Sequence, residues 1–327
     1  MKFQNARRWL ASAMLATSCA ALVAPTSTHA QSDKLTRFIL PVAAGSGVDT
    51  IMRASQKALS ASLGTAVVID IQPGAGGIVG TQTLVKAAPD GATLSVVSNN
   101  HVIYPSVYKT LPFDPIRDIT PIAVIGSSPM VLVVNPKLPA RDSKELVALL
   151  KAKPDTLNYA SSGNGTILHL AAEMFLDEAG VKAKHIPYKG VGPMITDLIG
   201  GQVDFGVLAL PAIQAHLKSG ALRAIGTSSK TRLAAAPEIP TFAEQGLPGY
   251  LVEGWFAVIG PKGLPTAEVK RINAAFASAF ATADVKDAMA KQGNPINVTT
   301  PEAAAAYFVS EMDKYARLVK RAGVKLD

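Results

Sequence analysis

Arg37-Phe-Ile-Leu-Pro-Val-Ala-Ala-Gly45-Ser-Gly-Val-Asp-Thr-Ile-Met-Arg53 is the stretch on which the reading of the fold turns. The apolar run Phe38 to Leu40 breaks at Pro41, passes through the small-residue loop Ala43 to Gly47 and enters a segment of helical periodicity at Val48. A strand, a tight turn and a helix start in that order aim unpaired backbone N–H groups and the positive end of the helix dipole at one point. The junction is therefore a candidate anion site.

Working outward, short β-like runs alternate with amphipathic segments, the pattern of a parallel α/β sheet. Runs at Phe38 to Leu40, Ala66 to Ile71, Thr93 to Val97, Pro121 to Ile125 and Val131 to Val134 enclose helices at Val48 to Ser62 and Ile78 to Ala87. Three strands end in small or polar loops: Ala43 to Gly47, Pro73 to Gly77 and Ser98 to His101. In an open parallel sheet those carboxyl ends share one crevice, where ligands bind. The same arrangement returns after Pro136: the strand Leu157 to Ala160 runs into Ser161-Ser-Gly-Asn-Gly-Thr166, and Ile167 to Ala179 is apolar at helical spacing. A strand at Gly254 to Ile259 and helices at Ala267 to Ala281 and Pro301 to Ala322, separated by a turn around Gly293, close the chain.

The first thirty residues read as a secretory signal peptide: Lys2, Arg7 and Arg8, then an uncharged run from Trp9 to Ala24, then Thr28-His29-Ala30 as a cleavage site. Removing them from 327 residues leaves 297, enough for two domains, and lowers the formal charge from +8 to +5. The only cysteine, Cys19, goes with them, so no disulfide, thiol nucleophile or cysteine metal ligand is expected. No basic run interleaved with aromatics points to nucleic acid.

Several segments together resemble the Bug proteins, periplasmic receptors of tripartite tricarboxylate transporters. They are Pro41-x-x-Ala-Gly45-x-x-x-Asp49-x-x-x-Arg53, Pro73-Gly-Ala-Gly-Gly77-x-x-Gly80, Pro89-Asp-Gly-x-Thr-Leu94 and Tyr159-x-Ser-x-Gly163-x-Gly-Thr166-x-x-His169-Leu-x-x-Glu173. The likeness continues through Pro187-Tyr-Lys-Gly190, Gly200-Gly-Gln-Val-Asp204, Pro240-Thr-x-x-Glu244-x-Gly246 and Trp255. It implies an α/β, two-lobed periplasmic binding protein of type II (Venus-flytrap), each lobe a mainly parallel sheet flanked by helices. Residues 31–130 with 240–327 would form one lobe and residues 131–239 the other. It further implies a monomer in the periplasm, without cofactor, that is no enzyme. Such a protein captures a small organic carboxylate, a di- or tricarboxylate or an aromatic acid, and delivers it to membrane permease subunits.

The expected ligand-binding set is Ala44, Gly45, Ser46, Gly76, Gly77, Asn99, Asn100, Ser162, Gly163, Asn164, Thr166, His169 and Asp204. Each has a plainer structural role as well: the glycines turn the chain and the hydroxyls and amides cap helices. Asp49 stands four residues before Arg53, a helix-face pair, and is read as structural. His169 and Glu173 share that spacing; a packed histidine is favoured over a metal ligand because H-E-x-x-H is absent. Tyr104, Tyr188, Phe205 and Trp255 are expected in the core or at a hinge. The family usually has Gly-Gly where this chain has Gly45-Ser46, so Ser46 is the residue expected to tune ligand preference. Two other readings compete. One is a ligand-binding protein serving a signalling receptor. The other is a dinucleotide enzyme, suggested by Gly45-x-Gly47 with Asp70 but lacking the third glycine, which would fall at Thr50.

Overall fold

The computed structural model describes residues 35–154 and 156–324, so the signal segment expected at 1–30 lies outside the described residues. Strand β1 (Leu35–Leu40) leads into α1 (Gly47–Leu63), β2 (Ala66–Ile71) into a 3-10 turn (Ala75–Gly77) and α2 (Ile78–Val85), and β3 (Thr93–Ser98) into α3 (Asn100–Val107). A long strand, β4 (Ile119–Val134), follows, then α4 (Ser143–Ala152), β5 (Asn158–Ser161), α5 (Ile167–Ala179), β6 (Lys184–Pro187), α6 (Val191–Gly200), β7 (Phe205–Ala209), α7 (Leu210–Lys218) and β8 (Arg223–Thr227). The return connection reaches β9 (Glu253–Pro261), α8 (Thr266–Ala281), α9 (Ala283–Gln292) and α10 (Pro301–Ala322).

Local chemistry explains the helix limits. Ser46 caps α1, Thr166 caps α5 and Thr300 caps α10, each side chain accepting a first-turn N–H. Gly64, Gly180 and Gly323 end those helices in the left-handed conformation. Along α1, Ile51, Met52, Ser55, Leu59 and Leu63 form the buried stripe. Phe38 of β1 meets Phe276 of α8 edge to face at 5.7 Å, fastening α8 to the sheet.

The strands form one sheet in the order β2-β1-β3-β9-β4-β7-β5-β6, with β8 also on β4. β1, β2 and β3 are mutually parallel, as are β5, β6 and β7. β4 and β9 run antiparallel between the two trios. The first part of β4 pairs with β9 and its last part with β7 and β8, so β4 is shared by two half-sheets.

Where those halves meet follows from register. Ser98 at the end of β3 pairs with Phe256, Gly254 pairs with Ser128, and Met130 pairs with Ala209 at the end of β7. The carboxyl ends of both parallel trios thus converge on the middle of β4, near Ser128 to Met130. Helix α10 packs on α3, β4 and α5 and so touches both halves. Trp255 Nε1 donates to Glu311 of α10 at 2.9 Å.

Three expectations need correction. The runs at 121–125 and 131–134 are one strand: Gly126, at φ 157, lets the chain pass through a register shift without ending the ladder. Asn100 and His101, read as loop, open α3, because a helix start tolerates polar residues at its first turn. Where only a turn around Gly293 is expected between the last two helices, the chain forms a further helix, α9, which Gly293 ends; its burial rests on only Val285 and Met289, too sparse for a periodic signal. Among the described residues, no helix is long and apolar enough to cross a membrane and no cluster could hold a metal ion.

Candidate functional site

A cavity of about 650 Å³ occupies the point where the strand ends converge. Six helices contribute their first residues to its wall: α1 with Ser46, Gly47 and Val48, α2 with Gly77, α3 with Asn99 and Asn100, α5 with Thr166, Ile167 and Leu168, α6 with Gly190 and Val191, and α7 with Ala209 and Ala212. Among the described residues, the N–H groups of Gly47, Val48, Leu168 and Val191 meet no backbone acceptor. Helix starts carry partial positive charge, and Lys189, at the exposed rim, is the sole charged residue in the described lining. The arrangement can hold an anion with neutral donors and no carboxylate to repel it.

The first jaw is built by its own hydrogen bonds. Asp49 accepts from Gly45 N at 2.8 Å and from Arg53 at 2.7 Å, so its charge is spent on the turn. Ser46 Oγ accepts from Asp49 N at 3.3 Å; the hydroxyl caps α1 while its residue lines the cavity. Gly76 O accepts from Tyr104 Oη at 3.0 Å and Asn100 Nδ2 at 3.1 Å, which holds the turn before α2 against α3.

The second jaw mirrors it. Thr166 Oγ1 donates to Gly163 O at 2.8 Å and accepts from Ser162 Oγ at 3.2 Å. Asn100 then bridges the jaws: its Oδ1 accepts from Ile167 N at 2.8 Å. At the seam Gly190 faces Ala43 so closely that a Cβ on Gly190 would lie 2.5 Å from the Ala43 Cβ.

Nine of the thirteen expected residues line the cavity: Ser46, Gly76, Gly77, Asn99, Asn100, Ser162, Gly163, Asn164 and Thr166. Ala44 and Gly45 sit on the exposed outer side of their turn. Asp204 lies just before β7, at the opposite end of that strand from the cavity, where its carboxylate accepts from Asn158 N at 2.8 Å. His169 faces the sheet: Gly165 N donates to its Nδ1 at 3.1 Å, and its ring stacks on His185 at 3.9 Å. Sequence reasoning missed Lys189, Tyr108, Ser128, Met130, Ala209 and Phe256. Pro187-Tyr-Lys-Gly190 carried a signal, a glycine just before an apolar helix start; Ser128, Met130, Ala209 and Phe256 are placed only by strand register, and Tyr108 by the end of α3. Ser128 Oγ is fully buried and has no hydrogen-bond partner among the described residues.

The histidine pair braces the second jaw from behind. Ser161 Oγ bonds His185 Nε2 at 2.7 Å, and Tyr159 Oη donates to Glu173. Because His169 Nδ1 accepts the Gly165 N–H, the ring is neutral. Burial pushes His169 down to about 3, with His185 adding to the shift, and burial pushes His185 and His101 down to about 4. Burial raises the Glu173 carboxyl. The unfolded chain therefore protonates three histidines from their ordinary 6.5 downward while the folded chain does not, so stability falls as pH drops from about 6.5 to about 4. Glu173 acts with the opposite sign, since its stabilisation is lost as pH rises through its folded value, but it is one group against three. The melting temperature should be level above pH 7, decline through that window, and decline less steeply in His185→Gln; a level profile down to pH 4 would contradict this.

Comparison with known proteins agrees with the geometry. Residues 51–324 match the family "Tripartite tricarboxylate transporter family receptor". The chain is 33% identical to Protein BugT of Bordetella pertussis, over 98% of this chain and 99% of BugT. Among solved structures, R. palustris Rpa4515 with adipate superposes with a TM-score of 0.86 at 29% identity, covering 89% of this chain and 98% of that one. MatC from Rhodopseudomonas palustris with bound malate gives 0.82 at 27%, covering 87% and 99%. The fold is the two-lobed α/β type of periplasmic binding proteins, and the family consists of substrate-binding proteins, not enzymes. By its matching family model, its identity to BugT and its fold, the chain belongs to the tripartite tricarboxylate transporter receptor family, that of the Bug proteins.

Proposed function

We propose that the protein works in the periplasm as a monomeric receptor that closes on a small organic carboxylate and delivers it to the permease subunits of a tripartite tricarboxylate-type transporter. The observation that carries this reading is the convergence of six helix starts on one cavity, three of them (α1, α5 and α6) with N–H groups that meet no backbone acceptor, and with no acidic side chain in the described lining. The lobes would be residues 31–130 with 240–327 and residues 131–239, joined through β4 and the strand-to-strand connections, which would act as hinges. Ser46, Gly76, Gly77, Asn99, Asn100, Ser162, Gly163, Asn164 and Thr166 would shape the ligand pocket, mostly through backbone donors. The adipate and malate held by the two R. palustris neighbours support a carboxylate ligand.

Isothermal titration of purified protein, freed of co-purified ligand, against malate, adipate, citrate and benzoate should show saturable one-to-one binding of at least one acid. Deleting the gene should then abolish uptake of that acid by the host. If none of the acids binds, or a bound one is chemically converted, the reading is wrong.

A further inference from the structure

Along the strands that join the two half-sheets, successive side chains point to opposite faces. On β4, Ser128 and Met130 line the cavity described above, while Pro129 between them lines a second one. On β9, Gly254 and Phe256 line the first and Glu253 the second. The second, a groove of about 970 Å³, therefore lies on the reverse face of the same crossing strands. One of its walls is the loop after β8, from Ser228 to Ala235, and β8 pairs with the last part of β4. The other is α9 with the segment from Gly293 to Ile296. That wall is tied to the first half-sheet: Met289 packs in the core of Phe38 and Phe276, and Ile296 forms a bridge with Gly126.

The groove is basic with apolar surface between its cations. Lys230, Arg232, Lys286 and Lys314 line it against one acid, Glu253. Arg232 is paired with Glu244 and Lys314 with Glu311, both at 3.0 Å. Lys230 and Lys286 are exposed and meet no carboxylate among the described residues. The N–H groups of Lys230, Thr231 and Arg232 meet no backbone acceptor there either. Leu233, Leu251 and Ile296 supply apolar lining, and Leu251 is 41% exposed. Donors and cations beside exposed apolar side chains complement an acidic peptide segment that also carries apolar residues. An inorganic anion leaves the apolar part uncovered.

The jaws on the opposite face touch, through Asn100 Oδ1 and Ile167 N and at Gly190 and Ala43, so the groove is open while the ligand cavity is shut. A rotation about the crossing strands that parts the jaws draws the rear walls together. Resting on the receptor reading, we infer that this groove is where the loaded, closed receptor is recognised, and that its occupant is an acidic segment of the membrane permease. A partner that fits the closed form better than the open one favours ligand-bound protein by that difference in affinity.

The test combines Lys230→Glu with Lys286→Glu and reads two quantities: calorimetric affinity for whichever of malate, adipate, citrate and benzoate the wild type binds, and uptake of that radiolabelled acid by host cells. The double variant should keep the affinity within about twofold and lower uptake about tenfold or more, because reversed charge repels an acidic partner without touching the ligand cavity. Lys144→Glu with Lys151→Glu, the same change of net charge on exposed positions of α4, should leave both quantities unchanged. Wild-type uptake in the double variant overturns the inference and leaves the receptor reading intact. So does an equal loss in the α4 control, or a fall in acid affinity that matches the fall in uptake. A wild-type dimer in sedimentation that the double variant abolishes also overturns it, since the groove then holds a second copy. No acid uptake with the wild type removes delivery by the receptor and the inference together. Should the double variant not fold by its melting curve, Lys230→Ala with Lys286→Ala, expected to lower uptake about threefold, decides on the same readouts.

Discussion

Gly77→Ala should lower the melting temperature on the order of 10 °C and abolish ligand capture. Gly77 has φ 121, a conformation that side chains rarely adopt, and forcing alanine into it costs about 1–3 kcal/mol. Its Cβ would also sit against the Tyr104 hydroxyl and 2.6 Å from the Pro41 carbonyl oxygen. Neither can retreat: Tyr104 is buried and bonded to Gly76 O, and Pro41 terminates β1. The combined loss, about 3–5 kcal/mol, falls among the largest single-substitution effects and corresponds to that shift in melting for a chain of this size. Gly45→Ala is the control. Gly45 has φ 77 but nothing within 4 Å of a Cβ, so alanine there should cost only about 1 kcal/mol. Equal melting of the two variants would show that packing around Gly77 yields.

Asn100→Ala should weaken binding by about ten- to a hundredfold while leaving the fold intact. The Asn100 amide is the hydrogen-bonded bridge between jaws, joining Gly76 O on one side to Ile167 N on the other. Alanine leaves Gly76 O with its bond from Tyr104 but strands the Ile167 N–H, which is buried, at a cost of about 1–3 kcal/mol. That bond joins helix starts of different half-sheets, so its loss weighs on the closed arrangement, and each 1.4 kcal/mol is a factor of ten in affinity. Asn100→Asp separates geometry from charge. It retains the acceptor for Ile167 N–H but places a negative charge beside the anion, so it should bind more weakly than Asn100→Ala. Calorimetry on both variants checks this; an Asn100→Asp affinity equal to wild type would mean that the anion does not sit near α3.

Much of this was legible in the chain because the relevant forces are local. A glycine-rich turn after an apolar strand, followed by Ser46 or Thr166 at a helix start, specifies backbone geometry within five or six residues, and the structure places both loops on the cavity. His169 and Asp204 illustrate where local reasoning stops. Both lie in motif segments, yet one turns toward His185 and the other lies at the far end of its strand. Helical spacing tells which residues share a face but not which way that face points.

By itself the sequence determined the alternation of strands and helices, the anion-directed helix starts and the family, since each depends on residues close in the chain or on ordered motifs. Only the tertiary structure decided that β4 is one strand serving two half-sheets, that Asn100 bridges the jaws, and that Met130, Phe256 and Ala209 line one cavity. Asn100 and Ile167 are 67 positions apart, and β4 finds β7 and β9 far along the chain, where register and packing, not local propensity, select the partner. The opening stretch, Arg37 to Arg53, accordingly supplies one wall of the cavity, and the rest of the fold supplies the wall that faces it.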